Sequence, residues 1–195
     1  MKVKEAIYTR RATRAFTGDA VDDAALRDLI DAAIQAPSAV NEQPWAFFVV
    51  REKALLAQIS NAAKAFMLAS SPAGLLSHHF ESILGDAQFD IFYGAPALIV
   101  IASSTTNPWA TENCALAAEN LMLAARAKGL GTCWIGFARD WLRTPAGKAA
   151  LSMPEGYLPV APIIVGHPKG PTTPVPRKEP EIHWVSSWKA ATYEL

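Results

Sequence analysis

The order of elements along the chain predicts a layered α+β or α/β domain, and three observations carry that reading. An amphipathic segment, several short buried-strand candidates and a long Ala- and Leu-rich segment alternate in a way that stacks helices on a sheet. With 195 residues, 51% of them hydrophobic, the chain can build one domain with a substantial core, so a disordered chain is not expected.

From Asp22 to Ala36, the residues Leu26, Leu29, Ile30, Ala33 and Ile34 recur at three-and-four spacing and share one helical face. Asp22 is a candidate N-cap, Val21 with Leu26 fits a hydrophobic staple, and Pro37 stops the helix. Trp45 to Val50 is short, aromatic and β-branched, and Ala97 to Ala102 is a near-continuous aliphatic run; both read as strands buried on two faces. Thr111 to Lys128 reads as a long helix with Gly129 in the capping position. That helix is apolar around much of its circumference, which asks for burial at a domain centre or against a second copy.

Gly131 to Phe137 and Ala161 to Gly166 are further strand candidates, and the Pro-rich stretch Pro168 to Pro180 reads as an extended connector. Residues 1–195 are expected to form a single domain. Its tail, 181–195, carries Trp184, Trp188 and Tyr193, which water would expose at a cost, so the tail is expected to pack on something, a partner subunit being one such surface.

The 18 basic residues balance the 18 acidic ones, so no global field draws the protein to nucleic acid or to an anionic membrane. The N-terminus lacks the apolar core of a signal peptide, and Ala97 to Ala102 falls far short of the roughly 20 residues a bilayer span needs. A cytoplasmic protein is expected. Cys114 and Cys133 form no C-x-x-C motif and read as reduced thiols. His78, His79, His167 and His183 show no metal-binding spacing, and no metal is expected.

Four segments are candidates for chemistry. Arg10, Arg11 and Arg14 place three guanidinium groups within five residues; this is either a solvated basic helix end or a site for a phosphate, since guanidinium forks pair bidentately with anionic oxygens. Pro37 to Trp45 (PSAVNEQPW) is a loop whose Pro, Ser and Asn residues can equally be plain turn chemistry. Gly129 to Phe137 (GLGTCWIGF) can be a helix cap and a strand, and it contains no G-x-G-x-x-G dinucleotide fingerprint. Arg177 and Lys178 follow the last strand candidate as a basic spot on the Pro-rich connector.

Taken together, the R-R-x-T-R element, the amphipathic helix ending in P-S-x-x-N-x-Q-P-W and the hydrophobic strand after it closely resemble the N-terminal signature of the nitroreductase-like flavoproteins. The resemblance runs from Arg10 to about Arg177 and is least informative from Glu52 to Phe89. It implies a three-layer α/β/α sandwich with a mixed central sheet flanked by helices. It also implies a two-fold homodimer with active sites at the subunit interface, FMN as cofactor, and NADH or NADPH as electron donor.

Carried over residue by residue, the resemblance implies that Arg10, Arg11, Ala12 and Arg14, the loop residues Pro37, Ser38, Ala39 and Asn41, and Trp134 lie along FMN. It assigns Arg177 to the phosphate with Lys178 as a weaker contact, and a backbone N–H of Ile135 or Gly136 to the flavin N5 atom. Ala12 stands where relatives often have a hydroxyl residue, which leaves only its backbone N–H. Gln88 falls where some relatives place an amide on the pyrimidine edge, and Ile91 where those relatives have a second cation, leaving Arg14 as the main positive group near N1 and O2. No side chain is identified as catalytic in its own right, because N5 is the reactive centre.

The implied activity is transfer of hydride from NAD(P)H to FMN and then to a small acceptor such as a nitroaromatic or quinone, with ping-pong kinetics. The same scaffold also supports enone reduction, dehalogenation and dehydrogenation, and a flavin-binding or sensing protein with little turnover is the alternative of a different class.

Overall fold

The computed structural model describes residues 1–70 and 78–185. In chain order the elements are α1 (Val3–Thr9), α2 (Asp23–Ala33), β1 (Trp45–Val50), α3 (Lys53–Ser70), α4 (His78–Gly85), β2 (Ala97–Ser103), α5 (Ala110–Ala127), β3 (Gly131–Trp134), α6 (Gly136–Leu142), α7 (Pro145–Ala150) and β4 (Leu158–Gly166). The strands form one sheet in the order β1-β2-β4-β3.

Alternate residues of the sheet face two separate cores, which makes the molecule three layers deep. On one face Ile99, Ile101, Ile163 and Val165 pack with Leu26, Leu29 and Ala33 of α2 and with Cys114, Ala118 and Leu121 of α5. On the other, Leu98, Val100 and Ile164 pack with Leu56, Ile59 and Ala63 of α3 and with Ala138 and Leu142 of α6. The period of two along β2 thus feeds both helical layers, and all seven of its residues are buried.

Each named strand pair is antiparallel, with Leu98 opposite Ile164 and Trp45 opposite Ser103. The mixed sheet expected from the sequence is therefore corrected. Its parallel component among the described residues is the isolated bridge between Ala12 and Thr132. β1 also departs from expectation, because at the sheet edge it is mostly half-buried and leaves Val49 exposed.

α2 is capped by Asp22, whose side chain accepts a hydrogen bond of 2.6 Å from the Ala25 N–H. It ends at Ala33, three residues before the expected boundary, with tighter turns through Ala36. Pro37 disfavours helical backbone in the residue before it, which accounts for this early end. α5 closes with Gly129 at φ +78°, the Leu130 N–H reaching Ala125 O at 2.9 Å and the Gly129 N–H reaching Arg126 O at 3.1 Å.

The expected strand from Gly131 to Phe137 stops at Trp134. Gly136 instead opens α6, whose Ala138 and Leu142 lie one helical turn apart and are buried against α3. No helix among the described residues is long and apolar enough to cross a membrane. In the tail, Trp184 is exposed, while Trp188 and Tyr193 lie outside the described residues.

Candidate functional site

α1 ends at Thr9, and Arg10 turns the chain into extended backbone at φ −62° and ψ 135°. From there the segment runs beside β3. Ala12 bridges Thr132, and the Thr13 N–H donates to Thr132 O at 2.9 Å. The approach is so close that a Cβ on Gly131 would lie 2.6 Å from Thr13 Oγ1, so glycine is required there for space. With Thr13 and Phe16 turned into the core, Ala12 and Arg14 are left exposed.

The chain after β4 returns to the same place. The Thr17 N–H donates to His167 O and the Lys169 N–H to Ala15 O, both at 2.9 Å, and these bonds lay residues 169–177 along the arginine segment. Between them is an open groove of about 590 Å³ lined by Arg10, Arg11, Ala12, Arg14, Lys169 and Arg177, among others, with no acidic residue in its walls. Lys178 is exposed and does not line it.

Few of these cations are neutralised. Arg10 Nε lies 3.2 Å from Glu119 Oε1 as an ion pair, but without hydrogen-bond geometry. Arg11 Nη1 donates to Tyr8 O at 2.9 Å and to Arg10 O at 2.6 Å, while its buried Nε has no partner. The Arg14 guanidinium carbon sits 6.0 Å from the centre of the Tyr93 ring. Their field reaches β3: burial pushes the Cys133 thiol up from its ordinary pKa, and Arg14 and Arg10 pull it back in part.

The loop from Pro37 to Trp45 is not part of this groove in one chain. Its polar groups are turned inward on themselves and on α5. Asn113 Oδ1 accepts from the Ala39 N–H at 2.9 Å, Asn113 O accepts from the Trp45 indole at 2.9 Å, and Ser38 Oγ accepts from the Gln43 N–H at 2.9 Å. Asn41 Oδ1 accepts from Gln43 Nε2 at 2.8 Å. Val40, Asn41 and Gln43 all adopt positive φ, a strained set for non-glycine residues. Pro37 and Asn41 are exposed, and Ser38 and Ala39 half-buried.

The other expected residues divide as follows. The Ile135 N–H donates to Pro162 O at 2.8 Å and is therefore occupied, which corrects its expected role as a free donor. Gly136 is exposed at the first position of α6, where a helix leaves its N–H groups unpaired, so it is the remaining candidate of that pair. Trp134 is half-buried and packs on the core that contains α5. Gln88 lines a different groove, of about 620 Å³, with Gly18, Arg51 and Asp90, and the structure does not gather it with the arginines. Lys64 holds that segment by donating to Asp86 O at 3.1 Å and to Phe89 O. Ile91, fully buried, leaves no cation at its position.

Sequence reading missed Lys169 and Asn113. Lys169 directly follows the Pro168 that bridges Phe16, and Asn113 is a polar residue on the inward face of an otherwise apolar stretch of α5; both were visible as residues but not as neighbours.

Comparison with known proteins gives these features a context. A protein of Archaeoglobus fulgidus that carries a provisional NADH dehydrogenase/NAD(P)H nitroreductase name is 30% identical over 167 residues, covering 84% of this chain and 83% of that one. The iodotyrosine deiodinase of Thermotoga neapolitana is 30% identical over 161 residues, covering 79% and 83%. A crystal structure of a nitroreductase with bound FMN from Bacteroides fragilis superposes with a TM-score of 0.83 at 25% identity, over 95% of this chain and 100% of that one. The model of the Nitroreductase family matches residues 7–167, a span that holds the arginine segment, the Pro37 loop and all four strands, and the chain belongs to that family.

Proposed function

We propose that this protein is an FMN-dependent oxidoreductase that passes electrons from NADH or NADPH to a small acceptor such as a nitroaromatic or a quinone. The observation that supports it most is the acid-free groove carrying Arg10, Arg11, Arg14 and Arg177, with buried guanidinium nitrogens of Arg10 and Arg11 left without hydrogen bonds. Guanidinium groups gathered in a groove without a carboxylate in its walls suit an anionic ligand such as a flavin phosphate, which their terminal nitrogens would hold, the buried Nε of Arg10 being turned to Glu119.

In this reading Arg10, Arg11 and Arg177 hold the phosphate, with Lys178 adding charge from outside the groove. Ala12 offers its backbone N–H to the ribityl chain. Arg14 favours negative charge at the N1 and O2 edge, and Gly136 supplies the N–H toward N5. Bound FMN supplies the redox chemistry, accepting two electrons and a proton from the nicotinamide and delivering them to the acceptor in a second half-reaction.

The protein works as a two-fold homodimer. Exposed Ile7 and Tyr8 on α1 and Trp109 and Leu116 beside and on α5 supply apolar surface suited to a second copy. The Pro37–Asn41 loop of one copy then completes the groove of the other, which explains why a single chain does not unite them. Gln88, in its separate groove, contributes at most to the rim of the site.

The test is anaerobic mixing of the FMN-loaded protein with NADH and, separately, with NADPH. Bleaching of the flavin by either supports the reading and shows the donor; no bleaching by both contradicts it and favours a binding protein. The deiodinase relative motivates a second reading, reductive dehalogenation in the same groove. Offering the reduced protein a halogenated phenol beside a nitroaromatic and a quinone separates the two.

A further inference from the structure

We propose that Arg126, on the last turn of α5, is a further phosphate ligand that joins Arg10 and Arg11 in a three-guanidinium cradle for the phosphate of FMN. This rests on the FMN reading above and adds a residue to it.

A cavity of about 350 Å³ lies beside the arginine groove and shares Arg10, Arg11 and Thr13 with it, adding Thr9, Thr132 and Arg126 to the walls. Arg126 is held there from two directions. Its backbone is fixed by the capping turn at Gly129, whose N–H takes the Arg126 carbonyl at 3.1 Å. Its side chain is aimed by Thr9, because Arg126 Nε donates to Thr9 Oγ1 at 2.9 Å while Thr9 Oγ1 donates to Glu5 O at 2.6 Å.

This use of Nε leaves the terminal nitrogens of the guanidinium available to a ligand in the cavity that Arg126 lines, and Arg126 has no carboxylate partner among the described residues. A purely local role, partnering the negative end of α5, fits less well. The carbonyls of Ala124, Ala125 and Arg126 are already taken by the N–H groups of Lys128, Leu130 and Gly129. Three guanidinium groups therefore flank one cavity, and among the described residues the carboxylate paired with them is Glu119, set against Arg10. A phosphate dianion restores that balance and offers each fork an acceptor oxygen.

The experiment titrates flavin-stripped protein with FMN and with riboflavin, following flavin fluorescence, for wild type, Arg126→Ala, Arg126→Lys and Thr9→Val. Arg126→Ala is expected to raise the Kd for FMN roughly ten- to hundred-fold and to leave that for riboflavin unchanged. Arg126→Lys should recover part of the loss, and Thr9→Val, which only frees the guanidinium, should lose less. An unchanged Kd for FMN overturns the proposal, as does an equal loss for riboflavin. If Arg126→Ala instead raises KM for NADPH but not for NADH, with FMN affinity intact, the FMN assignment is overturned and the cradle belongs to the donor's phosphate. A wild type that binds no FMN defeats the proposed function separately. The cradle is then read with inorganic phosphate: a rise in Tm that Arg126→Ala diminishes supports it as a phosphate site, and an equal or absent rise overturns it.

Discussion

The arginine segment and the Pro37–Trp45 loop are both polar, lie near the start of the chain and join the same pattern of motifs, yet they satisfy their polar groups in different ways. From Arg10 to Arg14 the chain is tied to β3 through its backbone, while two buried guanidinium nitrogens have no hydrogen bond. From Pro37 to Trp45 the side chains of Ser38 and Asn41 close on neighbouring loop groups, Asn113 of α5 accepts from the Ala39 N–H, and the strain goes into the backbone at Val40, Asn41 and Gln43. Asn113 Nδ2 is likewise buried without a hydrogen bond, so the difference lies in access: the arginine segment lines an open groove, whereas the loop is closed on its neighbours and its shape is set in advance. A charged ligand needs the first, and a rigid wall beside it needs the second.

The largest effect is expected from removing cations of the open groove. Arg10→Ala combined with Arg177→Ala should weaken FMN binding roughly a hundred-fold or more, since two charge-assisted contacts are lost, while the urea midpoint stays near that of the wild type. A large drop in that midpoint would show that the arginines hold the fold instead.

The loop should respond in the reverse sense. Asn113→Ala removes the acceptor of the Ala39 N–H and is expected to destabilise the protein by about 1–3 kcal/mol in urea unfolding. Its effect on FMN affinity should be smaller than that of the arginine pair. Val40 carries a β-branched side chain at φ 49° and is almost wholly exposed, so Val40→Gly relieves strain without losing core packing. Stability is expected to rise by up to about 1 kcal/mol; a clear fall in Tm would mean that the side chain has a partner.

The smallest effect concerns Cys133, which reports the arginine field. Because burial raises its pKa and Arg14 opposes the rise, Arg14→Ala should move the pKa further up. In a Cys114→Ala background, the pH midpoint for alkylation of Cys133 should therefore shift to more alkaline values. An unchanged or lower midpoint would contradict the field.

Elements whose signal is local were legible in the sequence. The face of α2 with its Asp22 cap, the aliphatic run of β2 and the Gly129 stop of α5 each need only neighbouring residues to be read. What escaped depended on distant contacts. The end of β3 was hidden because GTCWIGF is apolar throughout and α6 is specified by burial of Ala138 and Leu142 against α3. The edge position of β1 follows from strand order, which no residue within it announces. In the site, the basic cluster was legible as charge, but the occupied N–H of Ile135 and the separate groove of Gln88 required the fold.

Subunit complementation tests most directly the claim that these two segments meet across a two-fold axis. Arg10→Ala/Arg177→Ala chains are co-expressed with Ser38→Ala/Asn41→Ala chains, each of which is expected to bind FMN more weakly than the wild type as a homodimer. Random pairing makes half of the dimers mixed, and each mixed dimer joins one intact arginine groove to one intact loop. Tight FMN binding should then return in about a quarter of all sites. No recovery, with mixed dimers confirmed by mass spectrometry, would contradict a site shared between two copies.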